Sequence, residues 1–158
     1  MRVSKQLKKG AEVFMSVRQI SVFLENKAGR LADVTKVLGA HDVDINALSI
    51  ADTTHFGILR LIVNKPDLAE TVLRENGYTV SASPVLAIAI EDVPGALAAA
   101  LDALTAGCIG IDYIYAFVGK QNLQKALVIL KVEDITHASE VLRQRGIQVL
   151  TDDEVYCL

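Results

Sequence analysis

The chain has 158 residues, of which 51% are hydrophobic and 22% charged, and its formal net charge is −3. This length accommodates one ordinary domain or two very small ones. The slightly acidic charge, without clusters of lysine and arginine beside aromatic side chains, argues against a nucleic-acid-binding protein. No apolar run approaches the ~20 residues of a transmembrane helix, so no membrane association is predicted.

Residues 1–16 are predicted to form an N-terminal extension. Lys5, Lys8 and Lys9 lie in this segment without a following apolar run, so it does not resemble a signal peptide. Two interpretations stay open. The extension is either a loose basic helix against the body of the protein, or a stretch before the true start of the chain, for which Met15 is a plausible residue.

Residues 17–83 are predicted to form the first domain, with alternating strand patterns and helical apolar faces. Its predicted elements are, in chain order, strand Val17–Leu24, turn Asn26–Gly29, a helix whose apolar face carries Leu31, Val34 and Leu38, strand Val43–Ala51, a hairpin bend at Thr53–His55, strand Gly57–Val63, a helix that begins at Pro66, turns Leu68, Val72 and Leu73 to the core and ends at Gly77, and strand Tyr78–Ala82.

A short linker, Ser81–Pro84, is predicted before the second domain, residues 84–158. The elements predicted there are strand Val85–Ile90, turn Asp92–Gly95, a helix marked by Leu97, Leu101 and Leu104, strand Ile109–Val118, a hairpin at Gly119–Asn122, strand Ala126–Val132, helix Ile135–Arg145 closed by Gly146, and strand Ile147–Leu150. In the first strand, Val85, Ala87 and Ala89 form a second apolar face, which predicts burial on both sides.

The two halves contain an internal repeat. Residues 25–32, ENKAGRLA, return as residues 91–98, EDVPGALA, so that Gly29 recurs as Gly95, 66 residues later. Each copy follows a strand and opens a helix. Both halves therefore predict the same α+β fold, a ferredoxin-like βαββαβ module whose four-stranded antiparallel sheet carries two helices on one face.

The repeated turn resembles that of the ACT domain family, whose members regulate metabolic enzymes by binding amino acids. The family pattern is (D/N)-x-P-G-x-L, which residues 92–97 match fully and residues 26–31 match with Ala28 in place of proline. Residues 43–46, VDIN, and residues 109–112, IGID, resemble the start of the family's second strand. As a whole, the sequence from residue 17 to about residue 155 resembles the stand-alone tandem ACT proteins of bacteria, which have no catalytic domain.

The turn also suits an anionic ligand on physical grounds. A glycine between strand and helix lets the backbone approach a ligand closely, and the helix N-terminus offers unpaired N–H groups to a carboxylate. In the family the ligand lies between two modules, at the first turn of one and the second-strand start of its neighbour. The candidate ligand-binding residues are therefore Asn26, Lys27, Ala28, Gly29, Arg30, Leu31, Asp44, Ile45, Asn46, Asp92, Val93, Pro94, Gly95, Ala96 and Leu97.

Other interpretations of these residues stay open. Asn26 and Asp92 could serve only as turn or N-cap residues, and Asp44 could be a solvated loop carboxylate. The two turns are not equivalent, because the acidic Asp92 disfavours a carboxylate more than the amide of Asn26 does. Unequal binding at the two turns is therefore expected.

The remaining reactive side chains do not indicate catalysis. Cys108 and Cys157 stand far apart without a C-x-x-C motif, which predicts neither disulfides nor zinc and suits a reducing cytoplasm. Cys108 is predicted to be a small buried apolar residue. His41, His55 and His137 fall in separate elements without metal-ligand spacing, so no metal or cofactor is predicted. Nothing pairs a nucleophile with a base, so an enzyme is not expected.

The sequence is compatible with two functions. The first is a cytoplasmic, non-catalytic allosteric sensor that binds a small amino acid at the interface between ACT modules, as a homodimer, and acts on a metabolic enzyme; that partner follows from the resemblance alone. The second is a structural or protein-interaction module without a ligand, which dimerises through its sheets.

Overall fold

The computed structural model describes residues 16–52, 55–118 and 124–157. The chain divides into two compact units, whose main parts are Arg18–Ser83 and Pro84–Tyr156. We call them the first and the second module. Most of the predicted N-terminal extension, Thr53 and Thr54 of the first predicted hairpin, and the predicted hairpin Gly119–Asn122 lie outside the described residues.

The first module is a four-stranded antiparallel sheet with two helices. Its strands follow the order β2-β3-β1-β4, and the register pairs Ile20 with Leu61 and Glu25 with Phe56. Its elements are β1 (Val17–Glu25), α1 (Arg30–Ala40), β2 (Ile45–Asp52), β3 (Phe56–Val63), α2 (Pro66–Glu75) and the first part of β4 (Thr79–Glu91).

The second module repeats this arrangement. Its strand order is β7-β4-β6-β5, and the register pairs Leu86 with Leu130 and Glu91 with Lys125. Its elements are the second part of β4, α3 (Ala96–Ala106), β5 (Ile111–Val118), β6 (Lys125–Val132), α4 (Ile135–Gln144), β7 (Gln148–Val149) and a short helix α5 (Asp152–Tyr156). The predicted fold, two ferredoxin-like modules with helices on one face, is confirmed.

Each module buries one apolar face of its sheet under its two helices, because alternate strand residues point to the same side. Full burial of one such leucine or isoleucine contributes roughly 1.5–3 kcal/mol. The first core contains Ile20, Val22, Leu24, Leu59 and Leu61 from the strands and Val34, Leu38, Val72 and Leu73 from the helices. The second contains Leu86, Ile88, Val128 and Leu130 from the strands and Ala100, Leu104, Ala138 and Leu142 from the helices.

Three leucines predicted to face the core are exposed instead. Leu31 and Leu97 occupy the first turn of α1 and α3, and Leu68 the first turn of α2. Small residues take the buried positions nearby, such as Ala69 in α2 and Ala100 in α3. The helical spacing was therefore wrong in the first turn, which lies at the end of the sheet. From the second turn onward the predicted face residues are buried, except that Leu101 is half-buried.

The predicted linker Ser81–Pro84 is wrong as well, because these residues belong to the continuous 13-residue strand β4. A proline interrupts a strand only where its missing N–H would have paired. Pro84 precedes the first pair of the second sheet, Leu86 with Leu130, and its carbonyl accepts a hydrogen bond from Lys131 Nζ at 3.1 Å. Proline is therefore compatible with strand geometry at this position.

The C-terminal end also differs from the prediction. Strand Ile147–Leu150 is reduced to Gln148–Val149, and the unpredicted helix α5 follows. Thr151 and Glu154 form a capping box, in which Thr151 N–H donates to Glu154 Oε2 at 2.8 Å and Glu154 N–H donates to Thr151 Oγ1 at 3.3 Å. This pattern was visible in the sequence and indicates the helix start.

The second apolar face of β4 is buried as predicted, since Val85, Ala87 and Ala89 are all buried. None of the helices within the described ranges combines the length and the apolar character that a membrane crossing requires.

Candidate functional site

The glycine bend between β1 and α1 is open. Gly29 is the N-cap residue of α1 and has a φ of 90°, and no side chain caps the helix there. A Cβ atom placed on Gly29 would meet nothing within 4 Å. Because a positive φ strains residues with a side chain, glycine is required by the backbone, and the space beside it is left free.

The bend between β4 and α3 has the same backbone. Gly95 is the N-cap residue of α3, again with a φ of 90° and no side-chain cap. In each bend, the N–H of the residue after the glycine donates to the carbonyl two residues before the glycine. Arg30 N–H donates to Lys27 O and Ala96 N–H donates to Val93 O, both at 3.3 Å. The next amides of the first turn, those of residues 31 and 32 in α1 and of residues 97 and 98 in α3, have no acceptor within the helix and are the ones available to a carboxylate.

The N-cap interpretation of Asn26 and Asp92 is wrong, because the glycines hold that position. Both residues instead fix the turn by backbone bonds. Asn26 N–H donates to the His55 carbonyl at 3.0 Å, and Asp92 N–H donates to the Gln124 carbonyl at 2.9 Å. Both side chains are exposed.

The three side chains that pair at the first bend carry an excess of positive charge. Glu25 pairs with Lys27 Nζ at 2.8 Å and with Arg30 Nη2 at 3.5 Å. The hydrogen bond from Lys27 is the main reason that the pKa of Glu25 is lowered, followed by the charges of Lys27 and Arg30. Two cations thus surround one anion, and this electrostatic balance favours an added carboxylate.

The second bend carries the opposite excess. Glu91 and Asp92 are both acidic, and alanine stands at the position of Arg30. A cation, Lys125, pairs with Glu91 in the register of β4 and β6. Its Nζ donates to Gln148 Oε1 at 3.1 Å. A carboxylate ligand is therefore less favoured here than at the first bend.

Two cavities lie beside the first bend. The smaller, of about 90 Å³, is lined by several of the predicted site residues, Asn26, Lys27, Arg30 and Leu31, together with Leu24, Glu25, Ile50, Asp52 and Gly57. The larger, of about 510 Å³, is lined by Phe23, Leu24, Glu25, Arg30, Phe56, Asn76, Gly77, Tyr78 and Thr79. Leu24, Glu25 and Arg30 line both, so the two cavities adjoin.

The predicted residues Asp44, Ile45 and Asn46 do not approach the bend of their own module. Ile45 pairs with Val63, at the far end of β3 from Gly57, which corresponds to a separation of about 20 Å along the strands. Asp44 is held by Asn64, which accepts from Asp44 N–H at 2.9 Å and donates to its carbonyl at 3.1 Å. Within one module, the two parts of the predicted site are thus separate.

The aromatic residues of the larger cavity were not among the predicted site residues. Phe23 alternates away from the core, so its position on the outer face was deducible. Phe56 directly precedes the predicted strand Gly57–Val63. Their proximity depends on the register of β1 with β3, which the sequence does not specify.

Cys108 is exposed, with a φ of 55°, and lies before strand β5. It therefore is not a buried apolar residue. It lines a cavity of about 680 Å³ in the second module with Gly110, Asp134 and His137, and His137 Nε2 lies 3.2 Å from the Gly107 carbonyl. Within the described ranges, no group of three or more His, Cys, Asp and Glu side chains is arranged to hold a metal ion.

The chain is similar to proteins of known family and structure. The family model of an ACT domain pair matches residues 15–158. The crystal structure of protein BT0572 from Bacteroides thetaiotaomicron is 39% identical, covers 92% of this chain and 99% of its own, and has a TM-score of 0.86. Among proteins of curated function, none is significantly similar.

Two more distant structures share the fold. The ligand-free regulatory subunit of aspartate kinase from Thermus thermophilus is 17% identical, with 83% of this chain and 93% of that chain covered and a TM-score of 0.62. The corresponding subunit from Thermus flavus is 15% identical, with 84% and 94% covered and a TM-score of 0.60.

Proposed function

The chain belongs to the ACT domain family as a tandem pair of domains, and from this premise we propose that it is a non-catalytic regulatory protein that binds a free amino acid at the bend of its first module. The observation that carries the proposal is the open glycine bend. Gly29 has no side-chain cap above it and free space beside it, whereas a Ser, Thr, Asp or Asn side chain commonly caps the N-terminus of a helix.

The bend supplies groups that suit an amino acid's carboxylate. The first-turn amides of α1 provide hydrogen-bond donors and a partial positive charge. Lys27 and Arg30 add two cations, only one of whose charges Glu25 balances. Charge-assisted hydrogen bonds of this kind are stronger than neutral ones, so binding at this end should depend on the ligand's acid group.

The ammonium group of the ligand has acceptors close by. The carboxylate of Glu25 lines both cavities at the first bend, and Asp52 lines the smaller one. A free amino acid carries both charges, and a site with both kinds of group discriminates it from simple acids and simple amines. The regulated partner, a metabolic enzyme, follows only from the family resemblance.

A ligand-free interaction module is the second candidate. Strand β2 lies at the edge of the first sheet, and its side chains Leu48 and Ile50 are exposed. An apolar edge strand is a template for pairing with another chain. A homodimer through two copies of β2 would cover these residues and is compatible with either candidate.

Thermal shift and isothermal titration with each of the twenty amino acids test the proposal. We expect one or a few of them to raise the melting temperature, because a ligand at a hundredfold excess over its Kd stabilises by about 2.7 kcal/mol. Gly95→Ala serves as the matched control for Gly29→Ala, which should weaken binding. If no amino acid binds and light scattering gives a dimer, the interaction module is the better account.

A further inference from the structure

The larger cavity of the first module, which we call the aromatic cavity, has a chemical character of its own. Its volume of about 510 Å³ lies within the range of small-molecule sites. It has an apolar part formed by Phe23, Phe56 and Tyr78, and a charged part formed by Glu25 and Arg30. This combination points to a ligand with an acid group and an apolar body.

The two phenylalanines are placed together by the sheet. Glu25 pairs with Phe56, and Phe23 pairs with Ile58, so Phe23 and Phe56 are diagonal neighbours on the same face of the sheet. Aromatic side chains in that relation reach each other. Phe23 is 50% exposed and Phe56 55% exposed, so a ring packed against them would remove a large apolar area from water.

The charged part is Arg30. Its Nη2 lies 3.5 Å from Glu25 Oε2, a long contact that leaves most of the guanidinium's five donors available to another acceptor. Guanidinium groups hold carboxylates with two parallel hydrogen bonds. Because Arg30 lines both cavities, a carboxylate bound to it would lie beside the first-turn amides of α1.

The second module lacks these side chains at the matched positions. Alanine replaces both Phe23 and Arg30, as Ala89 and Ala96, and Lys125 replaces Phe56. Lys125 reaches across to Gln148, which stands at the position of Thr79. The aromatic and guanidinium groups are thus a property of the first module and not of the fold that both modules share.

We infer that the aromatic cavity binds the side chain of a free amino acid with an aromatic ring, whose carboxylate is held by Arg30. This inference rests on the proposed function and specifies its ligand class. It favours a larger ligand than the small amino acid that the sequence predicted, since the cavity holds a phenyl group with space to spare.

Titration of the full chain with L-phenylalanine, L-alanine, 3-phenylpropionate and phenethylamine tests the ligand class. We expect L-phenylalanine to bind at least ~10-fold more tightly than L-alanine, because the ring buries apolar area that a methyl group does not. 3-Phenylpropionate should retain measurable binding, because it keeps the ring and the acid. Phenethylamine, which lacks the acid, should bind more weakly than 3-phenylpropionate.

Substitutions locate the site. Phe23→Ala and Phe56→Ala should each weaken L-phenylalanine binding ~10-fold and leave L-alanine binding within about twofold. Leu48→Ala is the matched control, since Leu48 is similarly exposed at 49% and does not line the cavity. Should an alanine variant unfold, Phe23→Leu keeps an apolar side chain and should still weaken the preference for the ring.

The outcomes distinguish a failure of this inference from a failure of the proposed function. If an amino acid binds but aromatic ones have no advantage, or if the phenylalanine variants bind as wild type does, the inference is wrong and the proposed function stands. If none of the twenty amino acids binds, both are wrong. If Phe23→Ala converts a dimer into a monomer in light scattering without affecting any ligand, the phenylalanines form an interface and the inference is overturned.

Discussion

The two modules share one backbone fold, but their cavities lie at opposite ends of the sheet. In the first module, the bend end of the sheet carries exposed aromatic side chains and two cations around Glu25. At the other end, Lys65 Nζ bridges to the Asp42 carboxylate at 2.8 Å and to its carbonyl at 2.7 Å. In the first module, the ion pair of Lys65 and Asp42 therefore occupies the end of the sheet that lies away from the bend.

The second module reverses this distribution. At its bend end, Lys125 and Gln148 join across the strands. At the other end, Cys108 stands where the first module has Asp42, with the same φ of 55°, and Asp134 stands at the position of Lys65. No ion pair is possible between these two, and a cavity of about 680 Å³ lies there.

This difference shows what the duplication preserves. The positive φ values recur at matched positions, at Gly29 and Gly95 and at Asp42 and Cys108, because they are needed for the chain to turn. The side chains that open or close each end have diverged. The backbone repeat therefore specifies where sites can lie, and the charges decide which of them suits a carboxylate.

The largest effect should come from the cores, where the modules ought to be equal. Leu61 and Leu130 hold matched positions and are fully buried, so Leu61→Ala and Leu130→Ala should each lower the free energy of unfolding by ~2–5 kcal/mol. Urea unfolding followed by circular dichroism measures both. Exposed Leu48→Ala should change it by less than about 0.5 kcal/mol. A cost below about 1 kcal/mol in only one module would break the equivalence.

The glycine bends should again respond alike in stability but not in binding. Gly29→Ala and Gly95→Ala each place a side chain at a φ of 90°, which costs about 1–3 kcal/mol of backbone strain. Gly39→Ala, inside α1, should instead stabilise by ~0.5–1 kcal/mol. Only Gly29→Ala should weaken amino-acid binding. Equal losses of binding at both bends would show that the charges do not distinguish them.

The shared architecture could be predicted from the sequence because it depends on local patterns. Alternation identified Ile20, Val22 and Leu24 as a core face, and the repeated glycine located both helix starts. These features need only the period of a strand and the conformational freedom of one residue. The duplication then supplied the second module from the first.

The features that could not be predicted depend on which strand residues pair and on how deep a residue lies in the core. Phe23 and Phe56 meet only through the register of β1 with β3. Leu97 follows the helical spacing of a core residue but lies in the first turn, beyond the buried part of α3. Ser81–Pro84 has the composition of a linker, yet β4 continues through it, since Pro84 lies before the first paired residue of the second sheet.

The charge contrast between the bends predicts an intermediate effect on binding. Arg30→Gln removes the guanidinium from the first bend and should raise the Kd of the bound amino acid ~10-fold, because a hydrogen bond to a charged group contributes about 1.5–3 kcal/mol. Ala96→Gln, at the matched position, should leave the Kd within about twofold, which isothermal titration measures. A loss at Ala96→Gln that equals the loss at Arg30→Gln would place the ligand at the second bend.

The smallest effect concerns the pH dependence of the first bend. Lys27 lowers the pKa of Glu25, so the folded state favours the ionised carboxyl. The stabilisation is complete above the ordinary glutamate pKa of about 4.3 and is lost as the pH falls through the lowered folded-state pKa. Glu25→Gln should therefore lower the melting temperature slightly at about pH 6, and this effect should decrease as the pH falls below about 4.

Lys27→Met decides whether the ion pair is the cause of this pH dependence. Lys27 is the largest contributor to the lowered pKa of Glu25, so in its absence Glu25→Gln should change the melting temperature much less at about pH 6. The effect is expected to be small because the pair is exposed, and exposed ion pairs contribute little to stability. A Glu25→Gln effect that persists at low pH, where the carboxyl is protonated, would show that Glu25 stabilises the bend by contacts of its uncharged form. In that case the ion pairs of the first bend would not explain the contribution of Glu25 to stability.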